Sequence, residues 1–347
     1  MDTKALYRGF GFLAFIIALA TYLLTVQQTV PFWDCGEFSA AAALQQVPHP
    51  PGAPLFLMIG KIFHLLPFGD PGWRVNLVSV FSSAITVGLL YLITVKVIKN
   101  FHTTPLDTVG EAVAVYGAAL VSALAYAFSD SFWFNAVESE VYALSTMFVA
   151  LVVYLTMRWN EEADNPGHER YLLLIAYLIG LSTGVQLLSI LPTFSIVLLV
   201  YFRKYKYSTK GLLLAGVAAI GIFIVIYPGI VKWFPQILNW AWPVGLGLVL
   251  AAVYGAWYGF KNQRPVLNLA CSAFILAILG YSCYTHILIR SNANPPMNEN
   301  APNDLPKLIS YLSREQYGDA PVWPRRFRWD DPYFQRGYLE YGEWNEP

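Results

Sequence analysis

Stretches of about twenty mostly apolar residues recur along almost the whole chain. Each is long enough to cross about 30 Å of hydrocarbon as a helix. They lie at 10–30, 75–98, 111–129, 139–158, 211–230, 243–260 and 266–289. A further stretch, 171–203, is too long for one crossing and is interrupted by Ser182, Thr183, Gly184, Gln186 and Pro192. It reads as two short helices meeting near Leu187, an arrangement that a bilayer tolerates where the freed backbone is buried in protein or lines a cavity. Of 347 residues, 56% are hydrophobic and 13% charged, against about 25% charged in an ordinary soluble domain. A soluble globule of this length cannot hide so much apolar surface, and 22 Phe, 22 Tyr and 11 Trp exclude disorder. The formal net charge is zero, so no nucleic-acid partner is expected. Cys35, Cys271 and Cys283 suggest no disulfide framework. The expected fold is an all-α multi-pass membrane protein of about nine transmembrane helices.

Orientation follows from Lys and Arg. With nine spans and the N-terminus inside, the inner loops hold Lys4, Arg8, Lys96, Lys99, Arg158, Arg170, Arg203, Lys204, Lys206, Lys210, Lys261 and Arg264. The outer loops hold Lys61, Arg74 and Lys232. This bias places 52–66 on the outer side as an interfacial helix, with Lys61 and His64 sharing a face. The first apolar run is as long as a full span and lacks a clear small-x-small cleavage site, so it reads as a span rather than a signal peptide. The chain divides into a transmembrane domain, 1–290, and a short outer segment, 291–347, readable as the start of a soluble domain. Within that segment the run Arg325–Trp329 reads as surface, because Asp330 and Asp331 follow it.

No acidic residue sits in the middle of a span; Asp34, Glu37, Asp70, Asp130, Glu138 and Glu140 collect on the outer face. Ion-coupled transporters carry their carboxylates near the midplane, so chemistry at the outer surface is expected instead. Asp34 and Glu37 share a helical face, and two readings of them stand. Either Asp34 caps a helix over 34–45 with Glu37 as its capping-box partner, or the two are an acid/base pair beside an apolar wall. His49-Pro50-Pro51-Gly52 forms a rigid corner that fixes His49, or merely links helices. Glu138 and Glu140, beside Asn135 and Tyr142, open the fourth span, where one carboxylate would suit a helix N-terminus. Arg290 ends the last span, either as a snorkelling anchor or as a fork for a lipid phosphate. Gln186 sits where the two short helices meet and reads as helix–helix glue or as part of a site. No spacing demands a metal.

The residues WDCGEF and HPPGAPLF, the AVESEVYAL segment, and IRSNANPPMNENAP followed by SREQYGD together resemble a family. It is a bacterial branch related to the protein O-mannosyltransferases, within the GT-C glycosyltransferase superfamily. The resemblance runs from about Trp33 to Asp319. This chain carries Gln186 where members often have His, and many members are longer.

The resemblance implies a GT-C-like helical bundle with an active site on the periplasmic side of the cytoplasmic membrane. It implies an inverting transfer of a sugar, mannose by the resemblance, from a polyprenyl-phosphate donor to a Ser or Thr hydroxyl of an exported protein. Neither metal nor cofactor is implied. Asp34 would be the base, with Glu37 orienting it or the sugar, and His49, Lys61 or Arg290 would meet the phosphate. Glu138, Glu140 and Gln186 would complete the substrate site. Two other classes stay open from the residues alone: a lipid or solute transporter, and a non-catalytic membrane subunit.

Overall fold

The structure is a computed structural model that describes residues 3–101 and 108–318. Position 103 and the run Arg325–Trp329 lie outside the described residues. Within them the chain is helical, with no strand beyond an isolated bridge between Val47 and Asn298.

Helix α1 (Thr3–Thr25) leads to two short helices, α2 (Cys35–Leu44) and α3 (Pro54–His64). There follow α4 (Pro71–Phe101), α5 (Val109–Ala127), α6 (Asp130–Ala136) and α7 (Val141–Glu162). The interrupted stretch is α8 (Glu169–Ser182), a 3-10 turn at Leu187–Ile190, and α9 (Pro192–Lys204). Next come α10 (Thr209–Ile224), a π-helical segment at Val225–Trp233, and α11 (Phe234–Lys261). The last elements are α12 (Pro265–Tyr281), α13 (Thr285–Asn292) and α14 (Leu305–Ser313).

Among the described residues, seven helical stretches are long and apolar enough to span a membrane. One of them, Thr209–Lys261, has 53 residues and would be about 80 Å long if straight. It bends sharply at Ala241 (φ −152°, ψ 74°). There Leu238 comes so near Gly245 that a Cβ on the glycine would lie 2.5 Å from the Leu238 Cδ2. Its two limbs and the 14-residue α8 correspond to three of the nine spans expected from the sequence, and α8 is shorter than a full crossing. α1 ends at Thr25, before the end of the apolar run 10–30 that predicts it. The cause is tertiary: Gln27 N–H donates to Val137 O (3.1 Å), and Asn76 Nδ2 holds Gln27 O (2.8 Å) and Thr29 O (3.0 Å). Those bonds satisfy an extended segment that would otherwise have stayed helical.

Helix α4 divides the core. Leu77, Val80, Ala84 and Val87 pack with α1 and α5, whereas Val75 and Val78 pack with α2, α3 and α7. Asn76, Ser79, Ser83 and Thr86 are also buried on α4, small polar side chains that let helices approach closely. Outward-facing Leu213, Val217, Leu250 and Val253 are exposed, as lipid contact requires. α3 is less superficial than an interfacial helix: Phe56 and Leu57 are fully buried.

At one end of the bundle, Lys96 pairs with Glu161, Arg158 and Arg170 with Glu162, and Arg203 with Asp164. This is the end expected inside. The opposite end gathers α2, α3, α6, the break after α8, and α14.

α8 and α12 meet through glycines. A Cβ at Gly180 would stand 2.1 Å from Ala277 O, and one at Gly280 would stand 2.4 Å from Leu181 N. The seam fixes the break that carries Gln186: Tyr284 Oη donates to Thr183 O (2.9 Å) and Leu55 N–H to Gly184 O (2.9 Å). Gly180→Ala is expected to destabilise the protein by about 1–3 kcal/mol, because backbone must move to admit the methyl group. Gly216, with open space around its Cα, is the control. Thermal unfolding in detergent should show a lower midpoint for Gly180→Ala and none of that loss for Gly216→Ala.

Candidate active site

Asp34 precedes α2 in helical geometry (φ −67°, ψ −10°), and its side chain makes no capping hydrogen bond. The capping box is not formed. Glu37 reaches His49 instead, with Oε2 2.6 Å from the ring Nδ1 and Oε1 accepting from the His49 backbone N–H at 2.6 Å. Two donors from one residue displace the local cap.

The corner that carries His49 is fixed from several sides. Gly52 N–H donates to His49 O (2.9 Å), and the Pro50–Pro51 bond is cis. Gly52 has φ +87°, and a Cβ there would lie 2.5 Å from the Tyr311 Oη. No other residue type fits. Tyr311, fully buried on α14, donates to Pro48 O. Val47 is bridged to the segment after α13: its N–H donates to Met297 O (3.1 Å) and its carbonyl accepts from Glu299 N–H (3.1 Å).

The Nε2 of His49 faces Asp34 Oδ2 at 3.9 Å. The Asp34 side chain is 61% exposed and that of Glu37 21%. The trio thus has one carboxylate committed to holding the imidazole and another open to the cavity. Burial pushes the Glu37 carboxyl up, but the hydrogen bonds from the His49 ring and N–H, with the imidazolium charge, outweigh it and hold it below its ordinary value. The bond to Glu37 raises His49 above the ordinary imidazole value against burial, with help from the charges of Glu37 and Asp34. Ligand atoms of Asp34, Glu37 and His49 lie within 4.8 Å of one another and could hold a metal ion. Asp34 and Nε2 are the two groups not already engaged.

A cavity of about 510 Å³ opens beside this trio. Its lining includes the polar side chains of Asp34, His49, Tyr142, Gln186 and Arg314 and the mostly apolar Leu187, Leu188, Ile190, Leu191, Phe223 and Tyr227. The side-chain amide of Gln186 has no partner among the described residues.

Other expected site residues lie elsewhere. Glu138 and Glu140 are buried (6% and 8% exposed) behind the start of α2 and do not line the cavity. Burial first, then the charges of Asp34 and Glu138, push Glu140 up to about 7 against the Val141 N–H. Burial also raises Glu138. Between these two, Ser139 donates to Cys35 O (3.1 Å) and meets Ser39 Oγ at 2.8 Å. Lys61 Nζ donates to Ala43 O (2.6 Å). Arg290 Nε donates to Gln45 O (2.5 Å), with Nη2 3.4 Å from Leu44 O. The reading of the residues missed Arg314, although it stands in the SREQYGD segment.

The family model described as the Protein O-mannosyl-transferase TMEM260 N-terminal domain matches residues 34–209. That range takes in Asp34, Glu37, His49 and Gln186 but not Arg290 or Arg314. The Protein O-mannosyl-transferase TMEM260 of Mus musculus is 28% identical over 233 residues, covering 66% of this chain and 31% of that protein. The Protein O-mannosyl-transferase tmem260 of Dictyostelium discoideum is 30% identical over 184 residues, covering 50% of this chain and 20% of that protein. The matches span less than a third of the length of these curated relatives. No solved structure matches the chain.

The pair makes a directional prediction. A raised imidazole contributes stability that is complete below its unfolded pKa and is lost as pH rises through the raised folded value. A lowered carboxyl contributes stability present above its unfolded pKa and lost as pH falls through the folded one. Glu37→Gln removes the acceptor charge, so the His49 titration should move to lower pH. NMR of isotope-labelled histidine, with the other histidines replaced, reads this directly. An unmoved midpoint would show that Glu37 does not set the charge of His49.

Proposed function

Because the chain belongs to the family of the Protein O-mannosyl-transferase TMEM260 N-terminal domain, we propose that it is a membrane glycosyltransferase. It transfers mannose from a polyprenyl-phosphate donor to a Ser or Thr hydroxyl of an exported protein. The observation that carries this reading is a carboxylate, Asp34, released from helix capping and open to a cavity lined by both polar and apolar side chains. Such a cavity suits a donor whose sugar and phosphate are polar and whose tail is hydrocarbon.

The chemistry follows from the parts. The acceptor oxygen attacks the anomeric carbon from the face opposite the phosphate, so the configuration inverts, as in inverting glycosidases with the hydroxyl in place of water. Its proton passes to Asp34. The bond between the anomeric carbon and the phosphate oxygen breaks, and its electrons leave with the polyprenyl phosphate. The leaving group needs cationic help rather than a proton. His49, held by Glu37 through Nδ1, faces Asp34 with its Nε2 and holds that carboxylate in place. Gln186 offers its amide to the sugar. Leu187, Leu188 and Leu191 line the path of the first isoprenes.

The reading sets the site on the periplasmic side of the cytoplasmic membrane, supported by the excess of Lys and Arg at the opposite end. In a background without native cysteines, cysteines at Asp70, Ser131 and Asn294 should react with an impermeant reagent in intact cells. Cysteines at Asp164 and Tyr207 should not. Labelling of position 164 from outside would reverse the orientation.

Asp34→Asn decides the base. Asparagine is as good an N-cap as aspartate, and here the side chain caps nothing. The variant should fold and bind the lipid donor, yet lose about 10²–10⁴-fold in transfer rate. The assay is incubation of purified protein with lipid-linked mannose and a Ser/Thr peptide, read by mass spectrometry. Near-normal transfer would remove Asp34 as the base.

A further inference from the structure

A departing phosphate gains a second negative charge as its bond to the sugar breaks, and something must neutralise it. Two of the cations expected there are spent elsewhere. Lys61 and Arg290 donate to the carbonyls of Ala43, Leu44 and Gln45. These carbonyls close α2, where a helix leaves its acceptors without partners and favours positive charge. Both side chains fasten the end of α2, and neither lines the cavity. The charge of His49 is balanced by Glu37 at 2.6 Å.

Arg314 does line the cavity, with Asp34, His49 and Gln186. It caps α14 in the left-handed region (φ 59°), its N–H bonded to Tyr311 O at 3.1 Å. α14 is anchored through buried Leu308, Tyr311 and Leu312. Arg314 therefore starts three residues beyond the tyrosine whose hydroxyl holds the His49 corner. Its guanidinium lies 4.9 Å from the centre of the Tyr317 ring. Among the described residues it has no acidic partner, and its neighbour Glu315 turns to Ser310 Oγ at 2.7 Å. A planar fork of donors with no hydrogen-bonding or acidic partner among the described residues, in a cavity lined by both polar and apolar side chains, matches a phosphate ester of a long lipid.

We propose that Arg314 binds the phosphate of the lipid donor and neutralises the charge that develops on it as the sugar leaves, a role that rests on the transferase reading above. The electrons of the broken carbon–oxygen bond go to the phosphate oxygen facing Arg314. The acceptor proton goes to Asp34, and no further reactant is needed.

The test uses the full chain in nanodiscs with two readouts: binding of polyprenyl phosphate alone, and steady-state transfer from polyprenyl-phosphate mannose. Arg314→Ala should weaken polyprenyl phosphate binding and lower transfer by about 10²–10³-fold. Arg314→Lys should recover part of both, since it keeps the charge and loses the fork. Thermal midpoints of both variants should match the parent, because the side chain is exposed. Mannose 1-phosphate, which lacks the tail, should bind far more weakly, and equal binding would overturn the lipid assignment. Transfer by the parent with unchanged donor KM and kcat in Arg314→Ala overturns the inference and leaves the transferase reading standing. Arg314-dependent binding of polyprenyl phosphate without any transfer supports the phosphate site and sinks the transferase reading. No binding by the parent sinks both.

Discussion

Every backbone N–H and C=O that a membrane protein frees by breaking a helix must find a partner inside the protein, because lipid offers none. This constraint organises the end of the bundle that carries the site. α1 stops at Thr25, and Asn76 takes up the carbonyls of Gln27 and Thr29 in the segment just beyond it. α8 stops at Ser182, and Tyr284 and Leu55 answer Thr183 and Gly184. α2 stops at Leu44, and Lys61 and Arg290 answer its last turn. Each repair ties a break in one span to a distant element. The break after α8 is the one of these that lines the cavity.

The same end sorts its carboxylates by environment. Glu37 is held ionised by a donor pair, Asp34 stands open to the cavity, and Glu140 is pushed up toward neutrality by burial. Glu37 and Glu140, acids of the same intrinsic strength, are thereby driven in opposite directions by their surroundings.

Much of this architecture was legible in the sequence, and the parts that were not share a cause. Long apolar runs disclose themselves because the bilayer demands them. The break near Leu187 showed as a cluster of Ser, Thr, Gly and Gln in an apolar field. The end of α1 did not, since Asn76, 51 positions beyond Thr25, decides it. The spacing of Asp34 and Glu37 suited a capping box equally well, and only the arrival of His49 in space settles which bond forms. Lys61 and Arg290 looked free because the carbonyls that claim them are fixed by the fold rather than by neighbouring sequence. Arg314 escaped notice for the opposite reason. It lies beyond the last apolar run, where no periodicity marks a residue as facing inward.

The hydroxyl of Tyr311 and the carbonyl of Pro48 are 263 positions apart in the chain. A polypeptide is made and inserted from its N-terminus, so the His49 corner stands without its support while every later span is threaded into the bilayer. The corner closes only when α14 has emerged and docked beneath it. The corner is thus completed only after the helices between it and α14 have been made.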